Sequence, residues 1–294
     1  MKITVQQATL ATLDEIVDAV ASWQQDPTAV QVHPGDLGWN SSYGAQVLAD
    51  GLRVWRRDGQ ILAAGMVDEA SGLIRMAIAP RVNDDEQFAA RLLSDLSDPD
   101  SGVLPAGRGS VEARYGAAFR DLLSRSGWSE DEPWTPLLRD LSTPVEDCGL
   151  RIETIGAGHV RDGIVHDRVA VQLASFPNST FTLERWQAMA ASLAYRNARC
   201  LVAYDTSDHA VAAATVWSAG PGRPGLIEPL GAHPTYRGHG HGRAITIAAA
   251  NELQQLGASS VGVCTPSSNV GGIAAYESAG FQKLDDVTDF RRPR

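Results

Sequence analysis

The stretch Tyr236-Arg237-Gly238-His239-Gly240-His241-Gly242-Arg243 has the residue types of an anion seat. Glycines at 238, 240 and 242 let successive amides turn inward with no Cβ in the way. The apolar run Ala244 to Leu256 behind them predicts a helix whose positive end adds to those amides. Just before lies Leu226-Ile227-Glu228-Pro229-Leu230-Gly231-Ala232, short and mostly apolar, so the local order reads strand, glycine loop, helix. A carboxylate such as Glu228 in these surroundings has either a chemical task or a structural partner. Pro229 beside it suits an irregular or edge position. The loop fits neither common phosphate motif: it lacks both G-x-G-x-x-G with a following acid and Gly-Lys-Ser/Thr. Taken alone, a glycine-rich turn before a helix is more often just a tight connection. His233, His239 and His241 have no carboxylate or thiol at ligand spacing, which argues against a metal cluster.

Downstream, Ser260 to Cys264 reads as a short strand, followed by Asn269, Gly272, Tyr276, Gly280 and Phe281. Asn269 can cap a helix carrying Ile273 and Tyr276, and Gly280 can end it. The form R-x-x-G-x-G, here Arg237, Gly240 and Gly242, resembles the acetyl-CoA pyrophosphate loop of the GCN5-related N-acetyltransferase (GNAT) family. The downstream residues resemble that family's second signature, N-x-x-A-x-x-x-Y-x-x-x-G-F, with Gly272 in the alanine place.

The resemblance implies an α/β fold, a mixed and mostly antiparallel sheet flanked by helices, and acetyl-CoA as cosubstrate. It places the donor between two splayed parallel strands, Leu226 to Ala232 and Ser260 to Cys264. Backbone groups at Leu230, Gly231 and Ala232 then lie against the donor, and amides of Gly238, His239, Gly240, His241, Gly242 and Arg243 surround the pyrophosphate. Arg237 and Asn269 belong to the same binding set. Tyr276 is the implied proton donor to the CoA thiolate, a phenol being a neutral donor at pH 7. Glu228 is the leading general base, directly or through water, with a structural ion pair as its other open reading. Transfer to an amine is then direct, by positioning and electrostatics without a covalent enzyme intermediate. Cys264 is expected to be a core side chain and not a nucleophile.

The 294 residues favour two domains, and the chain repeats itself. Leu62-Ala63-Ala64 answers Val211-Ala212-Ala213, Ala79-Pro80 answers His233-Pro234, and Gly127-Trp128 answers Gly280-Phe281, at offsets of 149, 154 and 153 residues. The expected architecture is two tandem GNAT-like acyl-CoA N-acyltransferase domains, 1–145 and 146–294, joined through Ser142-Thr143-Pro144-Val145-Glu146-Asp147. In the first half Arg81-Val82-Asn83-Asp84-Asp85-Glu86 replaces the glycine loop, with carboxylates that would repel a pyrophosphate, and Leu123 stands where Tyr276 stands. The first half therefore reads as a degenerate copy and the second as catalytic. The tandem form is similar to mycothiol synthase-like proteins.

Expected elements include a helix from Leu13 to Trp23 with Thr12 and Glu15 as capping box, and a hairpin across Asp58-Gly59. A helix-containing loop follows from His33 to Leu48, and helices are expected at His159 to Leu173 and Leu183 to Leu193. Trp134 to Leu138 should close the first half. Trp39, Tyr43 and Trp186 fall in regions that wall the acceptor site in the family. The other tryptophans read as core or interdomain packing.

The net charge of -10 is concentrated in residues 1–145, where 21 acidic side chains face 12 basic ones. No basic stripe suggests a nucleic-acid partner, and an acidic field suits a cationic amine. No apolar run of membrane-crossing length and no signal peptide is visible, and three widely spaced cysteines suggest reduced thiols, so a cytoplasmic protein is expected. The acceptor expected is a small-molecule primary amine. A noncatalytic CoA-binding or protein-interaction module on the same fold is the rival reading. Oligomeric state is not legible.

Overall fold

The computed structural model describes residues 2–26, 31–156, 161 and 163–293. The first half runs β1 (Ile3–Gln7), α1 (Leu13–Ser22), α2 (Pro34–Asn40), α3 (Ala45–Asp50), β2 (Leu52–Arg57), β3 (Gln60–Asp68), β4 (Leu73–Ile78), α4 (Glu86–Ser97), β5 (Ser110–Glu112), α5 (Ala117–Arg125) and β6 (Ser129–Asp140). The second runs β7 (Arg151–Ile155), α6 (Ile164–Ser175), α7 (Leu183–Ala190), β8 (Ala198–Tyr204), β9 (Ala210–Ser218), β10 (Gly225–Ala232), α8 (His241–Gln255), β11 (Ser260–Pro266), α9 (Val270–Ser278), β12 (Gln282–Lys283) and β13 (Val287–Arg291). Each half thus runs strand, helices, three strands, helix, strand, helix and closing strand, with three helices after the first strand in one half against two in the other and one closing strand against two.

The sheet is mixed and mostly antiparallel, with helices against it, as expected. It is one continuous sheet of 13 strands where two separate sheets were expected. Its order is β1-β2-β3-β4-β5-β13-β6-β11-β10-β9-β8-β7, with β12 on β6. The physical reason is the fate of the closing strands. β6 pairs with β11 from Asp140 opposite Ser260 to Trp134 opposite Pro266, while β13 inserts between β5 and β6. Each half therefore lays its closing strand on a strand of the other. Only β4 with β5 and β10 with β11 run parallel.

The cores interlock in the same way. One apolar cluster centres on the first half yet includes Phe181, Trp217 and Leu226, and the other centres on the second half yet includes Leu137 and Leu141. α2 is the clearest bridge. Gly35 and Gly38 face the fully buried Trp217 of β9, and a Cβ at Gly38 would overlap its indole. His33 caps α2 by accepting the Gly35 amide at Nδ1 (3.0 Å), so Nε2 is the nitrogen left to donate to the Pro224 carbonyl (3.1 Å). Burial holds His33 down at about 4, against the pull of Asp36, so the imidazole docks α2 in its neutral form.

The hairpin forms as expected, with Asp58 and Gly59 at φ +52 and +81. The capping box at Thr12 does not form. Thr12 Oγ1 bonds back to Thr9, whose amide it accepts at 2.9 Å, and Glu15 instead pairs with Arg56 at 2.5 Å. Expected helix starts at His159 lie outside the described residues; α6 begins at Ile164. The closing strand of the first half is longer than expected because β11, β12 and β13 all pair with it. Among the described residues no helix is long and apolar enough to cross a membrane.

Candidate active site

β10 and β11 pair only at Gly225 opposite Val261 and Leu226 opposite Gly262, and then part. On its other side β10 shifts register against β9 between Ile227 and Leu230, at the cis Glu228-Pro229 peptide. Trp217 Nε1 donates to the Glu228 carbonyl at 2.6 Å and fixes this irregular point. The expected splay is therefore present, and Glu228 stands at its apex. Beyond Leu226 the β11-facing edge of β10 is unpaired among the described residues, leaving backbone groups open to a ligand.

A cavity of about 490 Å³ occupies the wedge. The second half contributes Glu228, Leu230, Thr265, Asn269 and Tyr276, and the first contributes Asp36, Arg75, Glu112 and Arg114. Asp289 of β13 completes the wall. These charges form a chain. Arg75 lies 2.7 Å from Asp36 and 2.9 Å from Glu112, and Arg114 lies 2.7 Å from Asp289. The His33 amide donates to Asp36 at 2.6 Å, which anchors the carboxylate from behind. Burial works against the Arg75 charge, but Asp36, Glu112 and Glu228 outweigh it and hold it cationic.

Glu228 is pushed up to about 8, first by burial, then by the neighbouring Asp36 carboxylate, with Arg75 opposing. No ion pair among the described residues includes Glu228, but it is hydrogen-bonded to Asp36 and lies in the field of Arg75, so both readings of this carboxylate stay open. Tyr276 is raised to about 12 by burial and by the Glu228 charge, which keeps its phenol protonated and couples the two groups across the cavity. A carboxyl that titrates near neutrality facing a protonated phenol can take a proton at one point and give one at another.

Beyond the wedge, Gly238 and Gly240 adopt φ +82 and +79, a region that favours glycine, and Gly240 caps α8. A Cβ at Gly238, Gly240 or Gly242 would meet only open space. Among the described residues no carbonyl or side chain accepts the amides of Gly238, His239 and Gly240. With the start of α8 they form a cradle of amides that fits a pyrophosphate. Arg237 is exposed beside it. The Arg243 side chain instead donates to the Ser278 carbonyl at 2.8 Å, leaving its amide as its contribution to the loop. His239 and His241 lie with rings 5.8 Å apart at the loop, and among the described residues no His, Cys, Asp and Glu group could hold a metal.

Of the three β10 residues assigned to the donor, Leu230 lines the cavity, Gly231 is backed by Ser175 of α6, and Ala232 packs on the second core. Asn269 caps α9 by accepting the Gly272 amide at 3.1 Å and donates to Thr265 at 2.8 Å. A Cβ at Gly272 would overlap the Asn269 amide, which accounts for glycine at the alanine place of the signature. Cys264 is not a core side chain as expected: it is exposed on the cavity wall, because the splay uncovers this part of β11. Although the residue is exposed to the cavity, the protein mass around it limits solvation of a thiolate and pushes the thiol up to about 12.

Trp39 and Tyr43 line a neighbouring groove; Trp186 instead packs edge-on against Tyr195. The sequence reading missed Asp36, Arg75, Glu112, Arg114 and Asp289. The signal was present in Glu112-Ala113-Arg114, where strand alternation puts two charges on one face. A larger cavity of about 640 Å³, beside Arg108 and Arg292, involves none of the residues expected to be functional.

Residues 166–281 match the model of the acetyltransferase (GNAT) family. Among solved structures, an acetyltransferase from the GNAT family of Colwellia psychrerythraea is similar with a TM-score of 0.62 and 13% identity, over 99% of each chain. A tandem GNAT protein from the clavulanic acid biosynthesis pathway gives 0.59 at 13% identity, over 99% of this chain and 98% of that one. A GCN5-related N-acetyltransferase from Sphaerobacter thermophilus gives 0.56 at 17% identity, over 99% and 95%. No curated protein matches significantly. The fold is that of the GNAT acetyltransferases, and the family match supports acetyltransferase chemistry in general terms. Nothing in these matches supports the likeness to mycothiol synthase.

Proposed function

We propose that this chain transfers the acetyl group of acetyl-CoA directly to a primary amine of a small molecule. The observation that carries this reading is that Glu228 and Tyr276 line one wedge between β10 and β11, with the glycine cradle following β10 in the chain. Acetyl-CoA supplies an acyl group activated as a thioester. Amides from Gly238 to Arg243, with Arg237 beside them, would hold its pyrophosphate, and the open edge of β10 from Glu228 to Ala232 would hold its arm. Asn269 supports that arm's wall through α9.

Glu228, directly or through a water, removes the proton that the attacking amine must lose, and Tyr276 delivers a proton to the departing sulfur. Three carboxylates, Asp36, Glu112 and Asp289, face two arginines, Arg75 and Arg114, in the wall, and the excess negative charge favours a cationic amine in the cavity. The remaining barrier is lowered by holding amine and thioester together in a site screened from bulk water. In this reading residues 146–294 are the catalytic domain and 1–145 a copy that no longer binds CoA but walls the acceptor site. The tandem organisation of the clavulanic-acid-pathway protein is a further support for that division.

The test is a thiol-release assay with acetyl-CoA and a panel of primary amines, run beside calorimetric titration with CoA. Amine-dependent release that disappears in Tyr276→Phe and Glu228→Gln supports transfer. Tight binding of one CoA per chain with no release from any amine would make the chain a binding module instead.

A further inference from the structure

Pro229 and Phe176 line two cavities at once: the acidic wedge, and a groove of about 410 Å³ on its far side. The groove has the opposite character. Trp39 stacks on Phe181 with ring centres 5.0 Å apart, and Tyr43, exposed in its ring, carries the Arg185 guanidinium at 3.6 Å over its face. None of the residues lining the groove is acidic, in a chain of net charge -10.

Two guanidinium groups serve this groove without a carboxylate partner among the described residues. Arg185, on the wall, bonds only to hydroxyls, those of Thr180 and Ser42, and its buried Nε has no partner. Arg168, fully buried behind the wall, lies 5.4 Å from the Phe181 ring centre, donates to Gln172 and Thr215 at 3.1 Å, and also keeps an unpartnered Nε. Its bond turns the Gln172 carbonyl oxygen inward, so the Gln172 amide hydrogens remain for the groove that Gln172 lines. A buried guanidinium with no counter-charge is costly, and a groove with the half-buried Arg185 on its wall and the buried Arg168 behind it, neither paired with a carboxylate among the described residues, is completed by an anion arriving there.

We infer that the groove is a carboxylate subsite of the acceptor, and that the acceptor is a flat amino-carboxylate. Its ring lies among Trp39, Tyr43 and Phe176, its carboxylate meets Arg185 and Gln172, and its amine reaches past Pro229 to Glu228. The fork of Arg185 suits a planar carboxylate, and the two cavities match the two ends of a zwitterion in sign. The inference rests on the acetyl-transfer reading only for the position of the amine.

Three probes test it: benzoate, benzylamine and 4-(aminomethyl)benzoate. Calorimetry of the intact protein should show saturable benzoate binding, weakened about tenfold or more in Arg185→Gln. In thiol release, kcat/KM for 4-(aminomethyl)benzoate should exceed that for benzylamine about tenfold, and the ratio should fall to near one in Arg185→Gln with KM for acetyl-CoA unchanged. Absence of saturable benzoate binding, equal turnover of the two amines, or a ratio that survives Arg185→Gln overturns the subsite. Benzoate binding that depends on Arg185, with no amine turned over, upholds the subsite and sinks the acetyl-transfer reading instead.

Discussion

The two halves present the same short junction of parallel strands with different side chains across it. In the second, β10 and β11 part after two residue pairs, and Glu228 lies in the wedge beyond them. In the first, β4 and β5 part after three pairs, the last Arg75 opposite Glu112, and those two side chains are bonded at 2.9 Å across the junction. The following helices differ likewise. α8 starts from bare amides at Gly240, whereas α4 is capped by Asp85, which accepts the Phe88 amide at 2.9 Å and pairs with Arg57 at 2.8 Å. One helix start leaves its amides free of a side-chain cap, and the other carries an acidic one. The two halves thus share the order of elements at this junction, and charged side chains of the first, Asp36, Arg75, Glu112 and Arg114, line the cavity beside Glu228.

The largest effect should come from the open side. Tyr276→Phe and Glu228→Gln should each lower kcat by about 10²–10⁴-fold with little change in CoA affinity, measured by thiol release. Because a base works only when deprotonated and Glu228 is held near 8, wild-type kcat/KM should rise with pH up to about 8 and level off. Glu228→Gln should remove that rise.

Next is the cradle. Gly240→Val forces a β-branched residue to φ +79, a strain of about 1–3 kcal/mol, and should weaken CoA binding in calorimetry. Wild type should bind one CoA per chain; two would break the distinction drawn between the halves. Of similar energy but different kind, Gly38→Ala puts a methyl into the Trp217 indole and should cost about 1–3 kcal/mol of stability, seen as a lower denaturation midpoint. Smallest is the contribution of the first half to the base itself. Asp36→Asn removes the negative neighbour of Glu228 and should move the pH midpoint toward acid while leaving CoA affinity intact. An unmoved midpoint would detach the first half from the chemistry.

Local features were legible where local physics decides them. The Asp58-Gly59 turn, the Asn269 cap and the glycine loop each rest on backbone preferences of a few adjacent residues. The Thr12 cap failed because a nearer partner, Thr9, competes for the same hydroxyl. The exchange of β6 and β13 was invisible because a strand's alternation says which face is buried but not which neighbour it takes. The same limit hid the acidic wall. Asp36, Arg75 and Glu112 look like surface charges until α2 docks on Trp217 and turns that face inward. Cys264 was misplaced for the converse reason, since only the splay uncovers it.

The position of β13 also governs how the molecule comes into being. Arg114 meets the carbonyl of Thr288 across a sequence separation of 174 residues, so the first half keeps an unpaired edge on β5 until β13 has been synthesised. A partner so late in the chain makes this a non-local pairing, of the kind that slows folding and leaves a strand edge open to other chains until it forms.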